Sequence, residues 1–263
     1  MEILGFCLAI IMGFTLGLLG GGGSILTVPI LVYVLAIDPI LATAYSLFVV
    51  GTSAFIGGWR KHVRGLVDWK TVFTFATPSL ISVFLTRYYL VPAIPAVVFS
   101  VGDFPLTKDI AIMIFFAAVM LMASYSMIRG NHNSEDQPLR SRNIPVLIVQ
   151  AAILGIVTGL VGAGGGFLIV PALVILVGLP IKKAIGTSLV IIAINSLIGF
   201  MGDIGSGQNI QWSFILTFTA FAIIGMLLGN YATHFVNPAK LKKGFGYFVL
   251  VMGIFIIVKE TLL

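Results

Sequence analysis

The segment GLLGGGGSILTVP (Gly17–Pro29) returns as GLVGAGGGFLIVP (Gly159–Pro171), 142 positions further on. At that one offset, without a gap, Gly13, Gly17, Gly20, Gly22, Gly23 and Pro29 match Gly155, Gly159, Gly162, Gly164, Gly165 and Pro171. The register continues downstream, where Ala42, Ser46, Leu47 and Gly57 match Ala184, Ser188, Leu189 and Gly199. An apolar chain yields chance Leu and Val matches; it does not readily yield the same glycine–proline spacing twice. The sequence therefore reads as a duplication. A first repeat covers residues 1–128, a second covers 144–263, and the most polar run of the chain, RGNHNSEDQPLRSRN (Arg129–Asn143), links them.

The repetition excludes two ordinary readings of a glycine run. A flexible spacer has no reason to recur between apolar flanks. A phosphate loop needs a Lys-Ser or Lys-Thr after the glycines to reach phosphate and Mg²⁺, and neither copy carries the lysine. Composition supplies the solvent. The 263 residues are 59% hydrophobic and 9% charged, with mean hydropathy +1.13. A soluble domain carries about 25% charged residues, so this chain cannot cover a globular surface in water. Its apolar stretches approach the ~20 residues that cross a bilayer as helix. They are solidly apolar rather than alternating, which disfavours a barrel. The predicted fold class is an all-α polytopic membrane protein of about ten apolar helical segments, near 3–19, 24–37, 40–58, 70–90, 109–128, 145–161, 166–179, 184–201, 212–232 and 244–262. The start, Met1-Glu2 with no basic run, does not read as a cleavable signal peptide.

The charges order these segments. With the amino terminus on one side, and each glycine-linked pair taken as two spans or as one re-entrant hairpin, 12 of the 15 Lys and Arg fall on the opposite side. Only Arg87, Lys108 and Lys259 share the side of the amino terminus. If each pair were instead one broken span, the split would be 8 to 7. The positive-inside rule selects the first arrangement, with basic loops and the linker cytoplasmic and both termini outside, in a cell (inner or plasma) membrane. Each half then crosses an odd number of times, so the expected repeats are inverted, a transporter architecture with its site near the midplane. Residues 24–37 rise only ~21 Å at ~1.5 Å per residue, against a core of ~30 Å. The expectation is a short-helix hairpin with a glycine tip in each half, the two tips facing each other.

A helix starting after a glycine run leaves its first N–H groups free and carries partial positive charge there. Glycine also lets an anion approach the backbone closely. The candidate substrate-binding residues at the tips are Gly20, Gly21, Gly22, Gly23 and Ser24 in the first half, and Gly162, Gly164, Gly165 and Gly166 in the second. Close packing of helices is the competing use of such glycines. The following helix adds Ser46 and Ser53 in the first half, and Thr187, Ser188 and Asn195 in the second. Ser46 and Ser53 are seven residues apart and share a helical face, as do Ser188 and Asn195. Such hydroxyls and amides bind an oxyanion or bond neighbouring helices, and Asn195 is the strongest single candidate because a mid-span amide is costly to leave unpaired.

Other chemistries find no support in the sequence. All nine carboxylates, Asp203 included, fall at segment ends or in loops, so no mid-span proton relay is legible. His62, His132 and His234 lie in or beside cytoplasmic loops without ligand spacing. The single cysteine, Cys7, excludes an internal disulfide and a cysteine metal cluster. No nucleophile–base pair appears. The expectation is no catalytic residue, no metal, no cofactor and no nucleic-acid partner; the partners are a small anionic substrate and the lipid bilayer. The net charge of +6 orients loops rather than binding nucleic acid.

The two glycine motifs, each followed by an Ala…Ser-Leu helix (ATAYSLFVVGTSAFIGG and AIGTSLVIIAINSLIGF), resemble the TauE/SafE family of membrane permeases over nearly the whole chain. The family commonly has Thr-Ser-Leu in that helix. Thr187-Ser188-Leu189 keeps it, and Tyr45-Ser46-Leu47 departs from it. The resemblance implies transport of small sulfur-containing anions such as sulfite, an organosulfonate such as sulfoacetate, or thiosulfate. Export fits the physics: moving one charge across 100 mV is worth about 2.3 kcal/mol, so anions leave a negative interior without a coupled ion. The alternatives are a permease or channel for another small anion, an uptake permease and, from another class, a membrane scaffold.

Overall fold

The computed structural model describes residues 2–101, 104–129, 144–233 and 238–262. The linker from 130 onward, with His132, and His234 lie outside the described residues. The ten expected segments are ten helices: α1 Glu2–Leu19, α2 Gly22–Val34, α3 Pro39–Val63, α4 Trp69–Leu85, α5 Lys108–Arg129, α6 Ile144–Val161, α7 Gly166–Val177, α8 Ile181–Gly205, α9 Trp212–Ala232 and α10 Pro238–Leu262. Helix α4 runs on through a wide π turn, Thr86–Leu90, to Ala93. Between α4 and α5 the sequence reading had no regular structure. The chain there forms an antiparallel pair, β1 Val97–Val101 with β2 Phe104–Thr107.

Local chemistry fixes the helix ends. The Asp38 carboxylate accepts from the Ile40 and Leu41 N–H groups (3.0 and 3.2 Å) and Pro39 follows it, which starts α3. The short helices α2 and α7 close alike. Ile37 N–H bonds the Leu31 carbonyl and Leu179 N–H bonds the Leu173 carbonyl, across a left-handed residue. That residue is Gly178 (φ 71°) in one half and Ala36 (φ 53°) in the other. Helix α7 has 12 residues, a rise of only ~18 Å, short of the ~30 Å core of a bilayer.

The contacts repeat under exchange of the halves. Helix α1 packs on α9 so closely that a Cβ at Gly13 would lie 1.9 Å from the Ala222 carbonyl oxygen, and one at Gly225 2.0 Å from that of Ile10. The equivalent pair is α6 on α4, where a Cβ at Gly155 would lie 2.4 Å from the Ser79 carbonyl oxygen. Small residues spaced by four let helix backbones touch where no water drives association. At the centre α3 and α8 run antiparallel: Gly57 meets Leu189, Gly51 meets Leu197, and Gly199 meets Leu47. Among the described residues, α3, α5, α8, α9 and Lys243–Thr261 of α10 are long and apolar enough to span a membrane. Helices α3 and α8 are the most enclosed of these.

Candidate functional site

The two glycine tips meet. A Cβ at Gly21 would lie 2.3 Å from the Gly166 Cα, and one at Gly166 2.4 Å from the Gly21 Cα. No side chain fits between them, so the backbones touch. Each tip then opens a helix. Leu168 and Ile169 N–H bond the Gly165 carbonyl, and Ser24 N–H bonds that of Gly21. The N–H groups of Gly166, Phe167, Gly22 and Gly23 precede the first bond of their own helix and fall in the donor-rich first turn.

The other tip glycines divide by what surrounds them. Gly162, Gly164 and Gly165 have left-handed backbones (φ 72°, 66° and 66°), as does Gly20 (φ 71°). A Cβ at Gly20 would meet Ile185, and one at Gly162 would meet Thr43, residues that are themselves 142 apart. A Cβ at Gly164 would lie 2.8 Å from both Ser196 Oγ and a Val50 methyl. Gly23 and Gly165 turn back on their own preceding helices, at Leu16 and Thr158. Gly22 stands apart, with only Leu19 nearby at 3.2 Å.

The candidate hydroxyls also divide. Ser46 and Ser53 are fully buried with no protein partner for their hydroxyls, as is Ser196. Ser24 donates to the Gly21 carbonyl (2.7 Å) and Ser188 to the Ile185 carbonyl (2.9 Å). Asn195 and Ser79 on α4 bond each other, with Asn195 Nδ2 donating to Ser79 Oγ at 2.9 Å. Thr187 Oγ1 accepts from the Asp68 N–H (3.0 Å), and the Tyr45 hydroxyl accepts from the Gln211 N–H (2.8 Å). Asp68 and Gln211 are the N-cap residues of α4 and α9. The Tyr45 departure from the Thr-Ser-Leu pattern thus does the same work as Thr187, with a longer arm. The apolar cavity of about 420 Å³ between α3 and α8, lined by Phe55, Trp59, Ile194 and Met201 among others, contains none of the candidate residues.

Two charges need correcting. The charge count sets Arg87 on the outer side, near the end of the fourth segment (70–90), and Asp203 just past the end of the eighth (184–201). Arg87 lies in the π turn of α4 and Asp203 inside α8, both buried and paired at 3.3 Å. A lone charge within or beside an apolar run shows in the sequence which side of the count it joins, not whether it is buried. The two are 116 positions apart, so no local spacing announces the pair.

A ten-helix bundle with closely packed apolar spans and helices broken at an internal glycine contact is that of a polytopic membrane protein. The family model for the sulfite exporter TauE/SafE matches residues 5–256, and the chain belongs to that family. Its relatives carry the same class of name. A "Probable membrane transporter protein" of Xylella fastidiosa (strain 9a5c) is 31% identical over 94% of this chain and 91% of its own. One from Haemophilus influenzae is 29% identical over 92% of both chains. YunE of Bacillus subtilis, also a "Probable membrane transporter protein", is 26% identical over 85% of this chain and 87% of its own. No solved structure matches the chain.

Proposed function

We infer that the protein exports a small sulfur-containing anion, such as sulfite, a sulfonate or thiosulfate, and holds it where the two glycine tips meet. The Gly21–Gly166 contact carries this reading. It brings two helix starts together inside the bundle, and the unpartnered hydroxyl of Ser196 lies against the second tip, 2.8 Å from where a Cβ at Gly164 would stand. Free N–H groups at helix starts, with their partial positive charge, suit an oxyanion. The name sulfite exporter, borne by the family, supports the substrate class.

The exchange of contacts between halves and the antiparallel α3 and α8 support inverted repeats about an axis in the membrane plane. Burial of Arg87 supports the orientation as well, because it removes one of three basic residues from the outer side and leaves Lys108 and Lys259. Export follows the membrane potential, since a negative interior expels anions by about 2.3 kcal/mol per charge per 100 mV. The test is radiolabelled sulfite flux in proteoliposomes against acetate and chloride, under an imposed potassium-diffusion potential. Sulfite efflux from the side bearing Arg60 and Lys182 is expected to quicken when that side is made negative. Flux of chloride alone, or sulfite flux driven by a pH step and indifferent to voltage, overturns the reading.

A further inference from the structure

Arg87 is the largest fully buried side chain among the described residues, and its guanidinium is only part used. Nη1 makes both of its contacts, with Asp203 Oδ1 at 3.3 Å and Thr43 Oγ1 at 3.0 Å. Nε and Nη2 have no protein partner, and neither does Asp203 Oδ2. The Nε–Nη2 edge is a fork that matches two oxygens of one anion. A pair that served only to join helices would engage that edge, because each buried donor left unpaired is destabilising.

The surroundings connect this fork to the tips. Thr43, which bonds Arg87, is the residue that a Cβ at Gly162 would strike, at 2.6 Å from its carbonyl oxygen. From Thr43 one face of α3 continues through Ser46, Val50 and Ser53, at spacings of three, four and three. Ser46 and Ser53 carry the unpartnered hydroxyls, and Val50 touches the second glycine tip at Gly164. A buried cation thus stands at the head of a line of free hydroxyls that reaches the tips.

The pair also breaks the internal symmetry. Scaffold contacts occur twice: Gly20–Ile185 with Gly162–Thr43, Gly57–Leu189 with Gly199–Leu47, and Tyr45–Gln211 with Thr187–Asp68. The positions equivalent to Arg87 and Asp203 are Gly229 and Lys61, so the pair has no counterpart.

We propose that Arg87 is a binding station for the transported anion, and that Asp203 is the internal anion that holds it between substrates. An oxyanion docks on the Nε–Nη2 edge with the Thr43 hydroxyl beside it and competes with the Asp203 carboxylate for one guanidinium. A spherical halide offers a single contact and competes poorly, which gives the station selectivity for oxyanions. This rests on the transport reading above and adds to it a charged residue outside the glycine tips.

The test uses purified Arg87→Lys, Arg87→Gln, Asp203→Asn and the Arg87→Gln/Asp203→Asn double variant, each checked for monodispersity. Two readouts are taken: sulfite flux in proteoliposomes, and the thermal shift that sulfite gives the detergent-purified protein. Both Arg87 variants are expected to raise the sulfite KM about ten- to a hundred-fold, the loss of charge-assisted hydrogen bonds. Asp203→Asn, which removes the competitor, lowers KM and enlarges the thermal shift. The double variant stays defective. Wild-type flux and KM in the double variant, or in Arg87→Lys, overturn the proposal and leave a structural pair. If the wild type moves no sulfite but sulfite stabilises it through Arg87, the transport reading falls and the station stands. Normal flux in Arg87→Gln is the reverse result. Neither flux nor stabilisation in the wild type rejects both.

Discussion

Gly21 and Gly166, 145 positions apart in the chain, touch backbone to backbone. Gly22, the next residue, is buried too, but a Cβ there would meet only the Leu19 side chain, at 3.2 Å, and no backbone of the other half. The two neighbours separate packing from access. Gly21→Ala is expected to lower stability by about 1–3 kcal/mol, through overpacking against a backbone that cannot yield. Gly22→Ala is expected to insert and purify normally, and to raise the substrate KM by covering the N–H groups at the tip. Melting curves and flux kinetics on both variants check this. An unchanged KM in Gly22→Ala would mean that the tip serves only to let the halves meet.

Ala36 occupies a left-handed backbone position that its counterpart fills with Gly178. A Cβ there costs about 1–2 kcal/mol. Ala36→Gly is expected to raise the melting temperature and Gly178→Ala to lower it, with flux per folded molecule unchanged. Thermal denaturation in detergent measures both. A lower melting temperature for Ala36→Gly would refute the assignment of strain.

Asn195 and Ser79 bond each other across α8 and α4. A double-mutant cycle with Asn195→Ala and Ser79→Ala is expected to give a coupling of about 0.6–1.7 kcal/mol, the range for such bonds within membranes. The substrate KM should stay within twofold of wild type if this amide only joins helices. A large rise in KM with little loss of stability would return Asn195 to the substrate path.

The charge asymmetry makes a separate demand. With Cys7 replaced, single cysteines between residues 64 and 68, or at 208–210, are expected to label from opposite faces in intact cells. The first resists impermeant thiol reagents and the second reacts. Labelling of both from outside would dissolve the inverted arrangement.

The sequence carried the ten helices because apolar length and glycine punctuation are local signals. It carried the tips because duplication wrote them twice. It could not carry the partners. Asn195 was singled out as a costly mid-span amide, and the residue that satisfies it, Ser79, is 116 positions away. Tyr45 looked like a change of site chemistry, because sequence shows residue type but not that its hydroxyl reaches an N-cap in the other half. Arg87 and Asp203 were hidden because hydropathy reports the apolar run around a charge but not whether the charge is buried or which residue, 116 positions away, faces it. The strands Val97–Val101 and Phe104–Thr107 were too short, beside long apolar helices, to stand out.

The pairing of α1 with α9 bears on how such a chain is made. A ribosome delivers Gly13 and Gly17 to the bilayer about two hundred residues before Ala222 and Met226, the backbone they are shaped to fit. Through that interval α1 lies against lipid with its glycine stripe uncovered, and α4 likewise waits for α6. Neither half can close its own helix pairs, so insertion and assembly are separate events. A ribosome stalled after the first half leaves a membrane-embedded intermediate with open helix faces, the form that quality-control proteases or a second nascent copy would meet first.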